Sequence, residues 1–195
     1  MKTKVPLILA SGSPRRQTLL RELGLEFEVL VREVDEKIPL GMSPTAVAEH
    51  LALHKARAYD DMAIDHLVIT ADTLVVLDNR IMGKPSNYRE AVQMLQDLSD
   101  RTSWVVTGVC INFAGERRVF HEVTQVRFRK LKRWEIDHYV RKFQPYDKAG
   151  AYGIQEWIGM VGIDQVEGDF YNVVGLPVAR LWGELQPWLV NGRRP

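Results

Sequence analysis

Val5-Pro6-Leu7-Ile8-Leu9-Ala10-Ser11-Gly12-Ser13-Pro14-Arg15-Arg16 reads as a strand, a tight turn and the start of a helix. Residues 5–10 are apolar or small and too short a run for an ordinary helix, so they are expected to form a buried strand. Serine is a preferred N-cap and proline suits the first helical position, so Ser13-Pro14 marks a helix that should reach Leu23. A strand feeding straight into a helix is the opening unit of an α/β arrangement.

The same alternation continues outward. Residues 25–31 are a second strand candidate, and Ser43-Pro44 opens a helix that carries Val47, Leu51, Ala52, Lys55 and Ala58 towards Tyr59. Residues 67–77 form a long β-rich run that is expected to break at Asp72, since aspartate is depleted in strands. Asp78-Asn79 should turn, and Asn87-x-x-Glu90 has the form of a capping box before Ala91, Leu95 and Leu98. Residues 104–113 and 119–128 flank Ala114-Gly115-Glu116 in a hairpin pattern. Residues 134–142 and 177–189 are expected to be helical. A second half this rich in hairpins predicts a mixed sheet rather than a doubly wound parallel one. No internal repeat or low-complexity linker suggests a cut, so one domain is expected over 1–195.

Composition narrows the function classes. The chain has 195 residues, 46% hydrophobic and 26% charged, with a formal charge of +1. That balance excludes wholesale disorder and a strongly basic nucleic-acid coat. Cys110 is the single cysteine, so no internal disulfide is possible and a reducing compartment is the simpler expectation. No run approaches the roughly 18 apolar residues of a membrane helix, and 5–10 is too short for a signal-peptide apolar region. A cytoplasmic protein is expected.

Four places carry residue types suited to chemistry. In residues 9–16, backbone amides at a helix start, two serines and Arg15-Arg16 favour an anion such as phosphate; an ordinary capped helix with solvated arginines is the plain alternative. Thr70-Ala71-Asp72-Thr73 puts a carboxylate between apolar runs, where it must be paired, bound to metal or exposed, and Asp35-Glu36 offers further oxygen ligands. Lys55 lies on the inward stripe of its helix with Val47 and Leu51, so it either snorkels or points into a site; Lys84 sits in the rigid segment Met82-Gly83-Lys84-Pro85. Residues 147–155 surround Tyr152 with glycine and alanine, so Tyr152 either stacks on a base or belongs to the core, and Gln155 has the hydrogen-bonding groups to read a base edge.

Other readings are weaker. His50 and His54 have i, i+4 spacing, but neither an H-E-x-x-H motif nor a second cysteine accompanies them. Residues 116–142 carry nine basic and four acidic side chains, the one hint of nucleic-acid binding, although such a run is usually a solvated face.

Taken jointly, residues 9–16, Asp35-Glu36, Lys55-Ala56-Arg57-Ala58, Ala71-Asp72-Thr73, Gly83-Lys84-Pro85, residues 147–155 and residues 171–177 resemble the Maf family of nucleoside triphosphate pyrophosphatases, in the family's order. The resemblance implies an elongated α/β fold similar to that of inosine triphosphate pyrophosphatases, a single bilobal domain with two lobes around a central cleft. It implies hydrolysis between the α and β phosphorus atoms to a nucleoside monophosphate and pyrophosphate, with Mg²⁺ or Mn²⁺ as cofactor. By family likeness Asp72 is the proton acceptor, Glu36 and Asp72 are the metal-site carboxylates, and Ser11, Arg16, Lys55 and Lys84 hold the polyphosphate. Arg15, Thr73 and Gln155 match positions that set base choice, and with residues 150–155 they look like the subgroup acting on dTTP and UTP rather than its 7-methyl-GTP sister. Glu156-Trp157 follows Gln155 where other members carry glycine, a departure at the rim of the base pocket. The likeness further suggests a homodimer and the clearing of noncanonical or modified pyrimidine nucleotides. The competing readings are a non-hydrolysing nucleotide sensor and a nucleic-acid-binding module that uses residues 116–142.

Overall fold

The computed structural model describes residues 1–190. In chain order the elements are β1 (Leu7–Leu9), α1 (Pro14–Glu22), β2 (Glu28–Val29), α2 (Pro44–Arg57), β3 (Leu67–Leu77), β4 (Arg80–Met82) and α3 (Tyr88–Leu98). They continue with β5 (Thr102–Phe113), β6 (Glu116–Phe128), α4 (Arg133–Phe143), α5 (Trp157–Gly162), β7 (Ile163–Glu167), α6 (Phe170–Val174) and α7 (Val178–Leu185). The strands are ordered β2-β1-β3-β5-β6-β7, with β4 beside β3. β1 runs parallel to β2 and β3, whereas β3–β4 and β6–β7 are antiparallel. The sheet is therefore mixed, as the hairpin-rich second half predicts.

The chain gathers into two compact units. The first comprises Met1–Asp72, Thr107–His121 and the chain from Gly175 onward. Its β1 is wholly buried, and the pairing extends past the strand at both ends: Leu67 N–H bonds the Pro6 carbonyl and Ala10 N–H that of Ile69. The strand expected at 25–31 shrinks to Glu28–Val29, both exposed at the end of the strand order. α2 buries Val47, Ala48, Leu51, Ala52 and Ala56. It comes close enough to the sheet for the Thr70 hydroxyl to donate to the Ala52 carbonyl at 2.7 Å, and a Cβ on Gly108 would run into the Ala48 carbonyl. Gly108 is thus required by close approach of two backbones.

β3 corrects one expectation: it runs unbroken through Asp72. Strands disfavour aspartate because its charge needs a partner, and here a lysine supplies one (below). The closing helix ends at Leu185 and a 3-10 turn, Gln186–Trp188, follows, because Pro187 has no N–H with which to continue an α-helix. Trp188 then accepts a backbone bond from Lys4, and Thr3 bridges to Leu189.

The second unit comprises Thr73–Val106 and Glu122–Val174. Leu95, Leu98, Phe128, Tyr139, Val140 and Ile158 form the centre of its core. The capping box of α3 is shifted: the Asn87 side chain accepts from Glu90 N–H at 3.0 Å, but the Glu90 carboxylate reaches back to Ser86 N–H, at 2.7 Å. α5, β7 and α6 were not expected from the sequence; each is short, and periodicity has too few residues there to be informative.

Five of the nine basic side chains in 116–142 pair with carboxylates. Arg117 pairs with Asp60, Arg118 with Glu184, Arg127 with Asp100, Arg129 with Glu135 and Arg133 with Asp137. Arg141 lies over the Tyr88 ring and Lys142 over that of Phe143. Cations already matched with carboxylates release few counterions on meeting a phosphate backbone, so the nucleic-acid reading is weakened.

Candidate functional site

In the first unit the turn after β1 is braced from within. The buried Ser11 hydroxyl accepts from Ser13 N–H and from Arg16 Nη1, both at 3.3 Å. Arg16 Nη1 also donates to the Ala71 carbonyl at 2.9 Å, and its Nε donates to the Gly175 carbonyl at 2.8 Å. One guanidinium thus fastens the turn to β3 and to the segment leading into α7. Burial holds the Arg16 guanidinium below its usual value, a shift opposed by the charge of Asp72, reinforced by Arg15 and opposed again by Glu36. Arg15 is half-buried in the first turn of α1. The Ser13 hydroxyl makes no bond to α1, in contrast to Ser43, whose hydroxyl accepts from Ala46 N–H at the start of α2.

Lys55 resolves the choice left open by its stripe: it points inward. Its Nζ lies 2.5 Å from Asp72 Oδ1 and 2.7 Å from Glu36 Oε1, so one ammonium joins carboxylates from two segments. The side chains of Lys55 and Asp72 are 18% and 13% exposed, a setting in which an unpaired charge would be expensive. The loop that carries Glu36 is clipped at its base. Tyr59 Oη accepts from Arg32 N–H at 2.6 Å and donates to the Leu30 carbonyl at 3.0 Å, while Arg32 lies over the Tyr59 ring and forks onto both Asp61 oxygens.

This pair of carboxylates suits a divalent cation. Mg²⁺ typically takes one or two protein carboxylates and completes its shell with substrate phosphates and water. Asp72 and Glu36 already converge on one positive charge, which is the donor set such an ion needs. Among the described residues no group of three His, Cys, Asp or Glu side chains converges, so the fit is to an ion shared with substrate. The His50 and His54 rings stack with centroids 6.0 Å apart and recruit no further ligand among those residues. Cys110 is buried, and burial pushes its thiol up to about 12, which leaves it inert.

In the second unit Thr73 is half-buried on β3 and Lys84 is exposed beyond β4. The Gly83 carbonyl accepts from Gly150 N–H at 3.0 Å, which ties the lysine-bearing segment to the glycine-rich one. Gly150 has φ +67°, and a Cβ there would lie 3.1 Å from Val75 Cγ1. Tyr152 belongs to the core: it is buried edge-on against Phe128, with centroids 5.0 Å apart, so it does not present a face to a base. Gln155 is exposed and lines a cavity of about 540 Å³ with Ile154, Asp164, Gln165 and Phe170 among its walls.

Sequence reasoning missed a polar network beside Gln155. Lys148 is buried, with Nζ 2.7 Å from Asp147 Oδ1 and 3.1 Å from Glu156 Oε1. Tyr139 Oη donates to Glu156 Oε2 and accepts from Gly153 N–H at 3.1 Å. The lone signal in the sequence is a lysine among small residues, where burial demands a counter-charge.

Comparison with known proteins identifies the family. Residues 6–188 match the family model described as Maf-like protein. A protein of Phocaeicola vulgatus named dTTP/UTP pyrophosphatase is 48% identical over 185 residues, covering 94% of this chain and 96% of its own. One of Porphyromonas gingivalis with the same name is 48% identical over 187 residues, 94% of each. A solved structure, the Ham1 protein of Staphylococcus aureus, is 18% identical with a TM-score of 0.51, covering 92% of this chain and 99% of that one, a likeness of fold. The segments that build the two-carboxylate site fall inside the matched span, and with relatives alike along nearly their whole length, the chain belongs to the Maf family.

Proposed function

We propose that this chain is a nucleoside triphosphate pyrophosphatase that hydrolyses dTTP and UTP to the nucleoside monophosphate and pyrophosphate. The observation that carries the reading is the Lys55 ammonium held between Asp72 and Glu36, in the same unit as the Ser11 turn braced by Arg16. The names of the relatives support the substrate class.

Hydrolysis adds water across the α–β bridge: a new P–O bond forms, the bridging P–O bond breaks, and one proton must leave the water. Family likeness assigns Asp72 as the proton acceptor, and its side chain, 13% exposed, is held in place 2.5 Å from the Lys55 ammonium. Lys55 and Arg16 hold positive charge for the polyphosphate, and Ser11 offers a hydroxyl at the same turn. Mg²⁺ or Mn²⁺, held by Asp72 and Glu36, would supply neutralising charge and acidify water. Family likeness assigns Lys84 to the polyphosphate and Arg15, Thr73 and Gln155 to base choice. The same reading makes the protein a cytoplasmic homodimer that clears noncanonical or modified pyrimidine nucleotides, on family likeness and on a lone cysteine kept reduced.

Incubation of the pure protein with dTTP, UTP, CTP and 7-methyl-GTP, each with Mg²⁺ or Mn²⁺, tests the proposal. The expected products are monophosphate and pyrophosphate in equal amounts, fastest from dTTP and UTP. Release of orthophosphate, or a tight nucleotide complex without turnover, overturns it.

A further inference from the structure

We infer that Glu156 and Tyr139 are positioning residues that set base discrimination by fixing the place of Gln155; this rests on the base-reading role proposed for Gln155. The geometry centres on Gly153. An added Cβ there would lie 3.0 Å from Gln155 Nε2, 3.0 Å from Glu156 Cδ and 3.2 Å from Lys148 Cε. Three side chains therefore gather over one bare backbone position, with the Gln155 amide on the same side of Gly153 as the Lys148–Glu156 ion pair.

That ion pair is itself fixed. Lys148 has a side chain only 9% exposed and needs a counter-charge. Its other partner, Asp147, is 56% exposed, against 20% for Glu156, so Glu156 is the more buried of the two. The second oxygen of Glu156 accepts from Tyr139 Oη, whose ring is buried in the core and stacked on Phe143. Burial and the Glu156 contact both push the Tyr139 phenol up, which keeps it a hydrogen-bond donor through the physiological range. Tyr139 Oη also accepts from Gly153 N–H, and Glu156 N–H closes the turn onto the Gly153 carbonyl at 3.0 Å. The 153–156 turn is thus held at both ends by groups that take no part in the chemistry. Below it, α5 begins, and a Cβ on Gly159 would run into the Ile154 carbonyl, so the turn cannot retreat towards the helix.

A loosened Gln155 would read the base edge with less discrimination, whereas the polyphosphate residues would be untouched. The informative variant is Tyr139→Phe, which removes one hydroxyl and leaves the core ring in place. Glu156→Ala removes the counter-charge, and Glu156→Gln, which still accepts from Tyr139, should rescue part of the effect. For Tyr139→Phe the ratio of kcat/KM for dTTP over CTP should fall by about fivefold, the scale of one lost hydrogen bond. The loss should appear in KM for dTTP, with kcat held within about twofold. Hydrogen exchange of the Gly153 amide should quicken in the same variant. A general loss of packing would lower kcat for both nucleotides equally and leave the ratio unchanged, and that result overturns the inference. Unchanged Gly153 exchange overturns it too. If the unaltered chain turns over no nucleotide, the proposed function fails and this inference falls with it; if it turns over dTTP and the ratio is insensitive to both sites, the inference alone fails.

Discussion

Lys55, Asp72 and Glu36 come from a helix, a strand and a loop, and they meet at the Lys55 ammonium. Asp72→Asn keeps the size of the side chain while removing the carboxylate that pairs with Lys55 and that is proposed to accept a proton. Steady-state kinetics with dTTP should show kcat lower by roughly 10²–10⁴-fold, the usual share of a general base, with a smaller change in KM. A near-normal rate would remove Asp72 from the mechanism. At this scale the identities of the charged residues were legible, because lysine on an apolar stripe and aspartate in a strand are each anomalous. Their pairing was not, since nothing local says which anomaly answers which. Arg16 illustrates the limit: two of its acceptors are the carbonyls of Ala71 and Gly175, 55 and 159 residues away, and a carbonyl has no signature in sequence.

At the scale of elements, the two Ser-Pro helix starts look alike on paper and differ in space. Ser43 Oγ accepts from Ala46 N–H at 3.3 Å, whereas Ser13 makes no such bond and the nearby Ser11 hydroxyl takes up Ser13 N–H instead. Ser43→Ala should therefore destabilise the protein by about 0.5–2 kcal/mol, and Ser13→Ala by clearly less, as read from urea midpoints. Equal losses would mean that Ser13 caps α1 after all. The N-cap pattern located both helices correctly, since serine before proline favours that backbone whichever way the hydroxyl turns. β3 resisted the same kind of reading: local propensity predicts a break at Asp72, and a tertiary ion pair overrides it. The segment from α5 to α6 was silent because its elements are too short to show a period.

For the molecule as a whole, charge is arranged in pairs. Arg117 holds Asp60 below the ordinary 3.8 of an aspartate, Arg129 holds Glu135 below 4.5, and Tyr88 together with Arg133 lowers Asp137. A carboxylate depressed in the folded state contributes stability that is complete above its unfolded value and lost as pH falls through its folded value. Thermal midpoints should therefore be flat above about pH 5 and fall progressively below about pH 4.5. Glu135→Gln, which removes the most buried of the three, should make that acid decline shallower. An unchanged slope would mean that Glu135 has the same affinity for protons folded and unfolded. Net charge, read from the sequence, excluded a polyanion coat but could not reveal this pairing, which depends on folded distances. The division of the chain has a further consequence, in time. The first unit is assembled from three stretches of sequence interrupted by the two that build the second. In synthesis Arg16 precedes its acceptor at Gly175 by 159 residues, and Lys4 likewise precedes the Trp188 carbonyl that it bonds. The second unit has all its residues once Val174 has been made. Residues 73–174 thus contain every residue of one core, while the other still lacks those from Gly175 onward. The turn after β1 lacks one of its fastenings until Gly175 has been made.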